Sequence, residues 1–425
     1  MKTNNYLSVL AGLMMLATGM VISSCATGGD GEEDSEMSSS LAENAASFSG
    51  SSDGTGIDGT EGDAKLGANG GSQGGNTQAG IVTAGEWNDL SHWDFWSKLM
   101  TSGEHIDKSD YWQCYTNNRV AVQVADENGH AATGIPVKLV RMTNEGQKIV
   151  WEAVTDNHGL ADCWLGLWQK STEVDASTLR IVINGQLMEQ QLVITDWSSQ
   201  SQTANRFTCP TATTTNILST DIAFVVDATG SMSDEINFLK SDLIDIINNV
   251  STTSGIRTAS LFYRDVSDDY LTRHSDFSAD VNTTADFVNQ QCADGGGDYP
   301  EAVHSALEHM LEDLSWDNSA RTRLAFLILD APAHHQTDVI SSLQQSVTAC
   351  ARRGIRLIPV AASGVDKNTE FMLRFFAIAT GGTYVFLTND SGVGLNHIEA
   401  TVGDYEVENL NKLIVRLIKY YTENS

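Results

Sequence analysis

The stretch Asp221-Ile-Ala-Phe-Val-Val-Asp227-Ala-Thr-Gly-Ser-Met-Ser233 determines the fold of the C-terminal half of this 425-residue chain. It opens with an unbroken apolar run that ends in an acid and then enters a turn of small residues. Apolar runs of the same kind recur at 324–330, 355–361 and 382–387. Strands that are apolar on both faces are typical of a parallel sheet that is covered by helices on both sides.

Helical patterns separate these apolar runs. The predicted helices cover residues 235–250, 284–291, 300–314, 339–353, 370–379 and 407–421. Alternating strands and helices predict a doubly wound, Rossmann-like α/β domain over residues 217–425. Ligands of such sheets bind at the carboxyl ends of the strands. Asp227 and Asp330 each end an apolar run, so we expect both carboxylates at that edge.

The turn after the first strand has the chemistry of a cation site. Asp227, Thr229 and Ser231 are spaced by two, and Gly230 permits a tight bend that points all three side chains into one loop. One carboxylate and two hydroxyls, with Asp330 as a second carboxylate, form an all-oxygen set that suits a hard cation. The small number of ligands favours Mg²⁺ with retained waters, and Mn²⁺ or Ca²⁺ stay open.

Four motifs in this region resemble the von Willebrand factor type A (vWA) family. They are Asp227-Ala-Thr-Gly-Ser231, Gly295-Gly-Gly-Asp-Tyr-Pro-Glu301, Leu327-Ile-Leu-Asp-Ala-Pro-Ala-His334 and Ile378-Ala-Thr-Gly-Gly-Thr-Tyr384. The first is similar to the metal-ion-dependent adhesion site (MIDAS) of that family. The resemblance implies that Asp227, Thr229 and Ser231 hold the cation, that Asp330 acts through water, and that a protein partner binds through an acidic residue.

The second loop departs from the family pattern. Many members carry a threonine where this chain has Asp298. A third carboxylate near the ion is expected to tighten cation binding and to weaken the recruitment of an acidic residue. Glu301 is the alternative if Asp298 turns outward. Ser233, Glu301 and His334 are further candidates for the rim of the site, although His334 also fits a polar loop without a ligand role.

The N-terminus resembles a bacterial lipoprotein leader. Lys2 precedes an apolar stretch over 7–22, and Ser23-Ser24 stand before an isolated Cys25. The apolar stretch is too short for a confident membrane span. We predict a signal peptide over 1–24 and lipidation at Cys25, the alternative being an ordinary cleaved signal. The acidic residues that follow resemble surface-export signals of the Bacteroides group, which implies an outer-membrane or cell-surface location with a lipid anchor as the membrane contact.

Residues 25–80 are predicted to be a disordered tether. Fourteen of the 36 glycines lie here with many serines and acids, and Phe48 is the one aromatic residue. Such a segment buries too little apolar surface to offset the entropy of ordering it. A coil of this length spans roughly 40 Å.

Residues 81–116 and 117–205 differ in pattern. Eight of the nine tryptophans lie between Trp87 and Trp197, and Trp93 and Trp96 share a helical face. We interpret 81–116 as a helical or irregular segment that packs against the next domain, with a sugar-stacking platform as the alternative. Residues 117–205 alternate with period two and predict an all-β sandwich, similar to carboxypeptidase-regulatory-like or transthyretin-like modules. Residues 206–216 are a linker.

Composition limits the function. The net charge of -30 repels phosphate, and the absence of a basic cluster in the sequence argues against nucleic-acid binding. Ser231 with His334 lacks a nucleophile elbow, and Asp227 lacks the second acid of haloacid-dehalogenase-type phosphatases, so we do not predict an enzyme. The prediction is a surface-tethered lipoprotein that binds a divalent cation and a protein partner. The alternatives are a glycan-binding lipoprotein and a structural component of an envelope or secretion complex.

Overall fold

The computed structural model describes residues 78–103, 105–198, 203–210, 219–250 and 255–423. The predicted signal peptide, Cys25 and nearly all of the predicted tether lie outside these residues, as does most of the predicted linker. The described residues all belong to one compact unit within Gly75–Ser425.

The elements before residue 210 are mostly short strands. In chain order they are β1 (Thr83–Trp87), α1 (Trp93–Thr101), α2 (Ile106–Trp112), β2 (Arg119–Ala125), β3 (Pro136–Thr143), β4 (Gly146–Val154), β5 (Leu160–Trp164), β6 (Leu179–Ile183), β7 (Gln186–Met188) and β8 (Asn205–Thr208).

The elements after residue 218 alternate between strands and helices. They are β9 (Thr220–Asp227), α3 (Ile236–Val250), β10 (Ile256–Tyr263), β11 (Thr272–Ser278), α4 (Val281–Asn289), α5 (Val303–Glu312), β12 (Thr322–Leu329), α6 (Thr337–Arg353), β13 (Ile355–Ala361), α7 (Lys367–Thr380), β14 (Tyr384–Leu387), β15 (Glu408–Asn409) and α8 (Leu410–Thr422).

The described part of the chain forms an eight-stranded mixed sheet with the order β11-β10-β9-β12-β13-β14-β1-β15. The five strands from β10 to β14 are parallel. The strands that flank them, β11 on one side and β1 with β15 on the other, are antiparallel to their neighbours. The carboxyl ends of the parallel strands therefore lie along one edge, which we call the upper edge.

Helices cover both faces of this sheet, which explains the continuous apolar strands. Along β9, Phe224 packs in one core with α3 and α8, and Val225 packs in the other with α5, α6 and α7. Successive side chains point to opposite faces of a strand, so a sheet buried on both sides needs an apolar residue at every position. The α/β architecture predicted for the C-terminal half is present.

The tryptophan-rich segment contributes a strand to the large sheet. β1 lies between β14 and β15 and pairs antiparallel with both. The sequence predicted a helical or irregular segment over 81–116, and the structure adds this strand to the helices α1 and α2. Trp93 and Trp96 have no exposed surface, and the ring of Trp96 lies 5.8 Å from that of Phe371 in α7.

A buried ion pair fastens the same segment to α7. Arg374 has no exposed surface, and it donates to both carboxylate oxygens of Asp89 at 2.9 and 2.6 Å. Trp87 donates its indole N–H to the same carboxylate at 3.0 Å. Losing one member of a fully buried pair leaves an uncompensated charge, which typically costs about 3–5 kcal/mol. Residues 83–96 are therefore an integral part of the α/β unit.

Two small sheets occupy the region from β2 to β8. One has the order β5-β2-β8 and the other β4-β3-β6-β7. Their inward side chains, such as Val122 and Leu139, belong to one core cluster. Asn157 donates to the carbonyls of Tyr420 and Glu423 at the end of α8. Since α8 ends beside the start of β12, the small sheets lie at the lower edge, opposite the carboxyl ends.

Two further observations concern disulfide bonding and membrane spans. No disulfide joins Cys114 and Cys209, which lie on either side of the small sheets in the chain. Among the residues that the structure describes, no helix is both long and apolar enough to cross a membrane.

Candidate cation site

The first loop of the site follows β9 at the upper edge. Asp227 is the last residue of the strand and is fully buried, and a 3-10 helix over Gly230–Asp234 carries the chain away. Gly230 donates to the carbonyl of Gly295 at 3.0 Å. A Cβ on Gly230 would lie 2.8 Å from that oxygen, so the close approach of the two loops requires glycine at this position.

The three residues predicted for this loop are brought together. The amide N–H and the hydroxyl of Thr229 both donate to Oδ1 of Asp227, at 2.9 and 2.7 Å. The hydroxyls of Thr229 and Ser231 lie 3.1 Å apart. Thr229 is buried and Ser231 is exposed, so the loop runs from the interior to the surface.

Asp330 lies at the same edge on the neighbouring strand. It directly follows β12, which pairs with β9 in register. The residue is 4% exposed, and its Oδ1 is buried without a hydrogen-bond partner. Oδ2 of Asp227 is in the same condition. The convergence predicted from the two apolar runs is therefore present.

The second loop brings Glu301 rather than Asp298 into the interior. Asp298 is exposed, whereas Glu301 is 2% exposed and has a buried, unpartnered Oε2. Glu301 forms an isolated parallel bridge with Ala333, and its amide donates to the carbonyl of Pro332 at 2.8 Å. This bridge ties the second loop to the segment that follows Asp330.

Asp265 and Tyr263 belong to the site although sequence reasoning did not identify them. Tyr263 ends β10 and pairs in register with Asp227, and its buried hydroxyl lies near the Asp227 carboxylate, whose pKa it lowers. Asp265 follows two residues later, is 4% exposed and lies 2.8 Å from Nε2 of His334. Arg257, Thr258 and Ser260 interrupt the apolar residues of β10, so no continuous apolar run marked this strand in the sequence.

The remaining candidates, Ser233 and His334, differ in their surroundings. His334 reaches the site through Asp265, whereas Ser233 is exposed. His335 points away, since its ring stacks on Tyr111 of α2 at 3.8 Å. The role of His334 at the rim of the site stays a prediction.

Burial and crowding make the carboxylates of this site hard to ionise. Burial raises the pKa of Asp227 to about 6, with a further contribution from the charge of Asp265. It raises the pKa of Asp330 to about 7, and the charge of Asp227 adds to the shift. The pKa of Glu301 rises to about 9, through burial first and then through the charges of Asp227, Asp265 and Asp330. A bound cation would relieve both causes.

The oxygen donors fit a hard, hydrated cation. Asp227, Glu301 and Asp330 each turn a buried carboxylate oxygen without a partner toward this region, and such groups are costly unless they are paired. Within the described residues no three His, Cys, Asp or Glu side chains are arranged to hold a metal ion by themselves. A cation bound here would therefore need hydroxyls and water to complete its coordination shell, as Mg²⁺ commonly does.

Comparison with known families identifies this region. Residues 221–369 match the model of the von Willebrand factor A domain. The chain contains a vWA domain. The match spans the first loop, the second loop and Asp330, so the whole candidate cation site lies within the vWA domain.

Two curated proteins are similar to part of this chain. A putative ariadne-like RING finger protein of Acanthamoeba polyphaga mimivirus is 30% identical over 221 residues, which are 48% of this chain and 22% of that protein. An alpha-protein kinase of Dictyostelium discoideum is 23% identical over 202 residues, 46% of this chain and 32% of that protein. The chain thus covers between a fifth and a third of the length of these curated relatives.

Two solved structures are similar to the vWA region. The conserved hypothetical protein BatB from Bacteroides thetaiotaomicron aligns with a TM-score of 0.34 and 12% identity, over 47% of this chain and 98% of that one. The VWA domain of SpRpn10 aligns with a TM-score of 0.30 and 10% identity, over 38% of this chain and 81% of that one.

Proposed function

We propose that this protein is a non-enzymatic, surface-tethered lipoprotein whose vWA domain binds a divalent cation and contacts a protein partner. The vWA domain itself supports protein–protein interaction in general terms. The observation that carries the cation is the set of buried, unpartnered oxygens on Asp227, Glu301 and Asp330 beside the Thr229 hydroxyl. Mg²⁺ suits these donors best, and Mn²⁺ is a close substitute.

The residues of the site divide the work of holding the ion. Asp227 and the hydroxyls of Thr229 and Ser231 line the first loop, and Asp330 faces them from the next strand. The hydrogen bonds from Thr229 hold the Asp227 carboxylate in one orientation before an ion arrives. The bound ion would neutralise part of the local charge and order the exposed loop end at Ser231, where a partner makes contact.

The attachment to a surface rests on the first 25 residues. The small residues before Cys25 support lipidation there, and the acidic Gly/Ser-rich segment that follows supports a tether on an outer membrane or cell surface. The two small sheets, which we interpret as a β-sandwich, lie at the lower edge, away from the candidate cation site. Incorporation of a labelled fatty acid at Cys25 is the direct measurement for this part of the proposal.

Glycan binding through the tryptophans is not favoured. Trp93 and Trp96 are entirely buried, and their rings contact Trp164, Phe371 and Phe375. An aromatic ring must present a free face to stack on a sugar. The match to the vWA domain gives no support to a purely structural role either.

Calorimetry with metal-free protein tests the cation site. We expect Mg²⁺ and Mn²⁺ to bind the wild-type protein at one site and to raise its melting temperature. The Asp227→Ala variant should lose this binding, because it removes the carboxylate that organises the first loop. Asp269→Asn is the matched control, since Asp269 is an exposed acid beyond β10 at the same edge.

The partner contact is tested by cross-linking on intact cells. Cross-links formed in Mg²⁺ should decrease in a chelator and in Asp227→Ala, and should persist in Asp269→Asn. Unchanged cross-linking in both the chelator and Asp227→Ala would refute a cation-dependent contact. Absence of any cation binding to the wild-type protein would refute the cation site itself.

A further inference from the structure

The second loop offers two acids to the cation, and the structure distinguishes between them. We propose that Glu301, and not Asp298, supplies the second-loop carboxylate of the cation site. The inference rests on the proposed cation binding. It also changes the expected chemistry of the partner, because Glu301 adds a fixed negative charge inside the site.

The bridge between Glu301 and Ala333 determines where this side chain lies. It holds the backbone of Glu301 against the segment that begins at Asp330. The hydrogen bond from the Glu301 amide to the carbonyl of Pro332 fixes the same register. The position of Glu301 is thus set by backbone pairing with the strand-end segment that carries Asp330.

The carboxylate itself reaches toward the first loop. Oε1 of Glu301 lies 3.1 Å from the position that a Cβ on Gly296 would occupy, and the same position is 3.4 Å from Cβ of Thr229. The space between Glu301 and Thr229 at Gly296 is therefore too small for a further side chain. Oε2 of Glu301 is buried and has no hydrogen-bond partner, so it is free to face an ion or its hydration shell.

Asp298 has none of these features. It is exposed in the loop after three consecutive glycines, three residues before the backbone bridge. An exposed carboxylate keeps its hydration and gains little from an ion in the interior. Asp298 is expected to contribute to the long-range charge of the upper edge and not to cation affinity.

Glu301 also determines the charge of the occupied site. Asp227, Glu301 and Asp330 carry three negative charges against two on the ion, and Asp265 beside His334 lies next to them. Such a site has no positive charge left to attract a carboxylate from outside. We therefore expect the partner to present neutral or basic groups to this edge.

A set of isosteric amide variants tests the assignment. Mg²⁺ and Mn²⁺ affinities are measured by calorimetry on metal-free wild-type protein, Glu301→Gln and Asp298→Asn, with thermal unfolding in chelator as a second readout. We expect Glu301→Gln to weaken both cations by about 10- to 100-fold, the range typical of lost supporting groups at metal sites. Asp298→Asn should stay within about twofold of the wild-type affinity, within the range expected for an exposed charge.

A thermal unfolding transition measured in chelator serves to check that the variants are folded. Glu301→Gln replaces a buried carboxyl group with a neutral amide of the same shape, so its melting temperature in chelator should not fall below that of the wild-type protein. A loss of affinity in Asp298→Asn with wild-type affinity in Glu301→Gln would overturn the assignment. Failure of the wild-type protein to bind either cation is a different result, which counts against the proposed function.

An acidic peptide tests the expected repulsion of carboxylates by the occupied site. Poly-glutamate is titrated into the Mg²⁺-loaded wild-type protein, Glu301→Gln and Asp298→Asn. Poly-glutamate should bind neither the wild-type protein nor Asp298→Asn measurably, and Glu301→Gln should respond to it more than Asp298→Asn does. Tight, Mg²⁺-dependent binding of poly-glutamate by the wild-type protein would overturn the claim that the occupied site repels carboxylates.

Discussion

Asp242 shows at the scale of one residue how burial affects stability away from the cation site. It lies in α3 and is 1% exposed, and its Oδ1 accepts a hydrogen bond from the amide of Gly80 at 2.6 Å. Its Oδ2 is buried without a partner. Burial, with a smaller contribution from the charge of Asp245, raises the pKa of Asp242 to about 6.

This shift predicts a pH dependence with a definite sign. The pKa of an aspartate in the unfolded chain is about 3.9, so the native state binds more protons between about pH 4 and pH 6. The contribution of Asp242 to stability therefore falls as pH rises through this window and is constant above it. Asp242→Asn should be more stable than the wild-type protein at pH 7.5 by about 1–3 kcal/mol, and the gain should shrink at pH 4.5.

Urea unfolding in chelator at the two pH values checks this expectation. Asp286→Asn in α4 serves as the control, because Asp286 is exposed on a neighbouring helix. The difference between variant and wild type removes the contribution of the cation-site carboxylates, which titrate in the same range. Equal stability differences at pH 4.5 and pH 7.5 would contradict this effect of burying Asp242.

The sequence predicts the residues of the cation site unevenly, for a physical reason. Asp227, Thr229 and Ser231 are neighbours in the chain, so their spacing alone brings them together. Asp330 follows from the rule that parallel strands end at one edge. A single backbone bridge brings Glu301 to the site, and the neighbouring strand β10 brings Asp265. Local sequence patterns reveal neither pairing.

Among the elements, four of the five buried parallel strands were predictable, and β10 and the edge strands were not. β9, β12, β13 and β14 are buried along their whole length and mostly apolar, because helices cover both of their faces. β11 is partly exposed and rich in polar residues, so its sequence resembles a loop. β1 has five residues, and its partners β14 and β15 lie roughly 300 residues further along the chain. No local pattern encodes a pairing of that separation.

The place of β1 predicts how a shortened chain behaves. A fragment of residues 217–425 lacks β1, so β14 becomes an open edge and the core loses Val82, Ala84, Trp93 and Trp96. Open, apolar edges promote aggregation. We expect this fragment to aggregate or to melt well below a fragment of residues 78–425, as judged by size-exclusion chromatography and thermal unfolding.

A fusion separates the effect of β1 from that of the small sheets. Residues 78–117 are joined by a Gly/Ser linker to residues 206–425, which restores β1 and omits β2 to β7 together with most of their core. We expect the fusion to be monomeric and to melt at a higher temperature than the fragment of residues 217–425. If the fragment of residues 217–425 is instead monomeric and as stable as the longer one, β1 is dispensable to the α/β unit.

At the scale of the whole molecule, the two small sheets and the candidate cation site lie at opposite edges of the eight-stranded sheet. Val154 of β4 packs against Gly354 at the end of α6, and Trp168 donates to Thr348 in the same helix at 3.0 Å. The loops of the upper edge are left uncovered by these contacts. A partner can therefore approach the candidate site without displacing the small sheets.

The proposed attachment to a membrane is tested on the whole chain. In a bacterial host that lipidates its proteins, we expect the wild-type chain to take up a labelled fatty acid and to sediment with membranes. Cys25→Ser should abolish the label and release the protein, whereas Ser38→Ala in the predicted tether should change neither. Label and sedimentation that persist in Cys25→Ser would exclude Cys25 as the site of attachment.

The register of β1 also determines where a force on the chain enters the sheet. Leu329, Ala361, Phe386 and Gly85 lie in one register row across the sheet, so Thr83 and Ala84 enter at the height of Asp330. Three strand spacings, about 14 Å, separate their strands. A force applied at the start of β1 would therefore load its hydrogen bonds to β14 at the height of the candidate cation site.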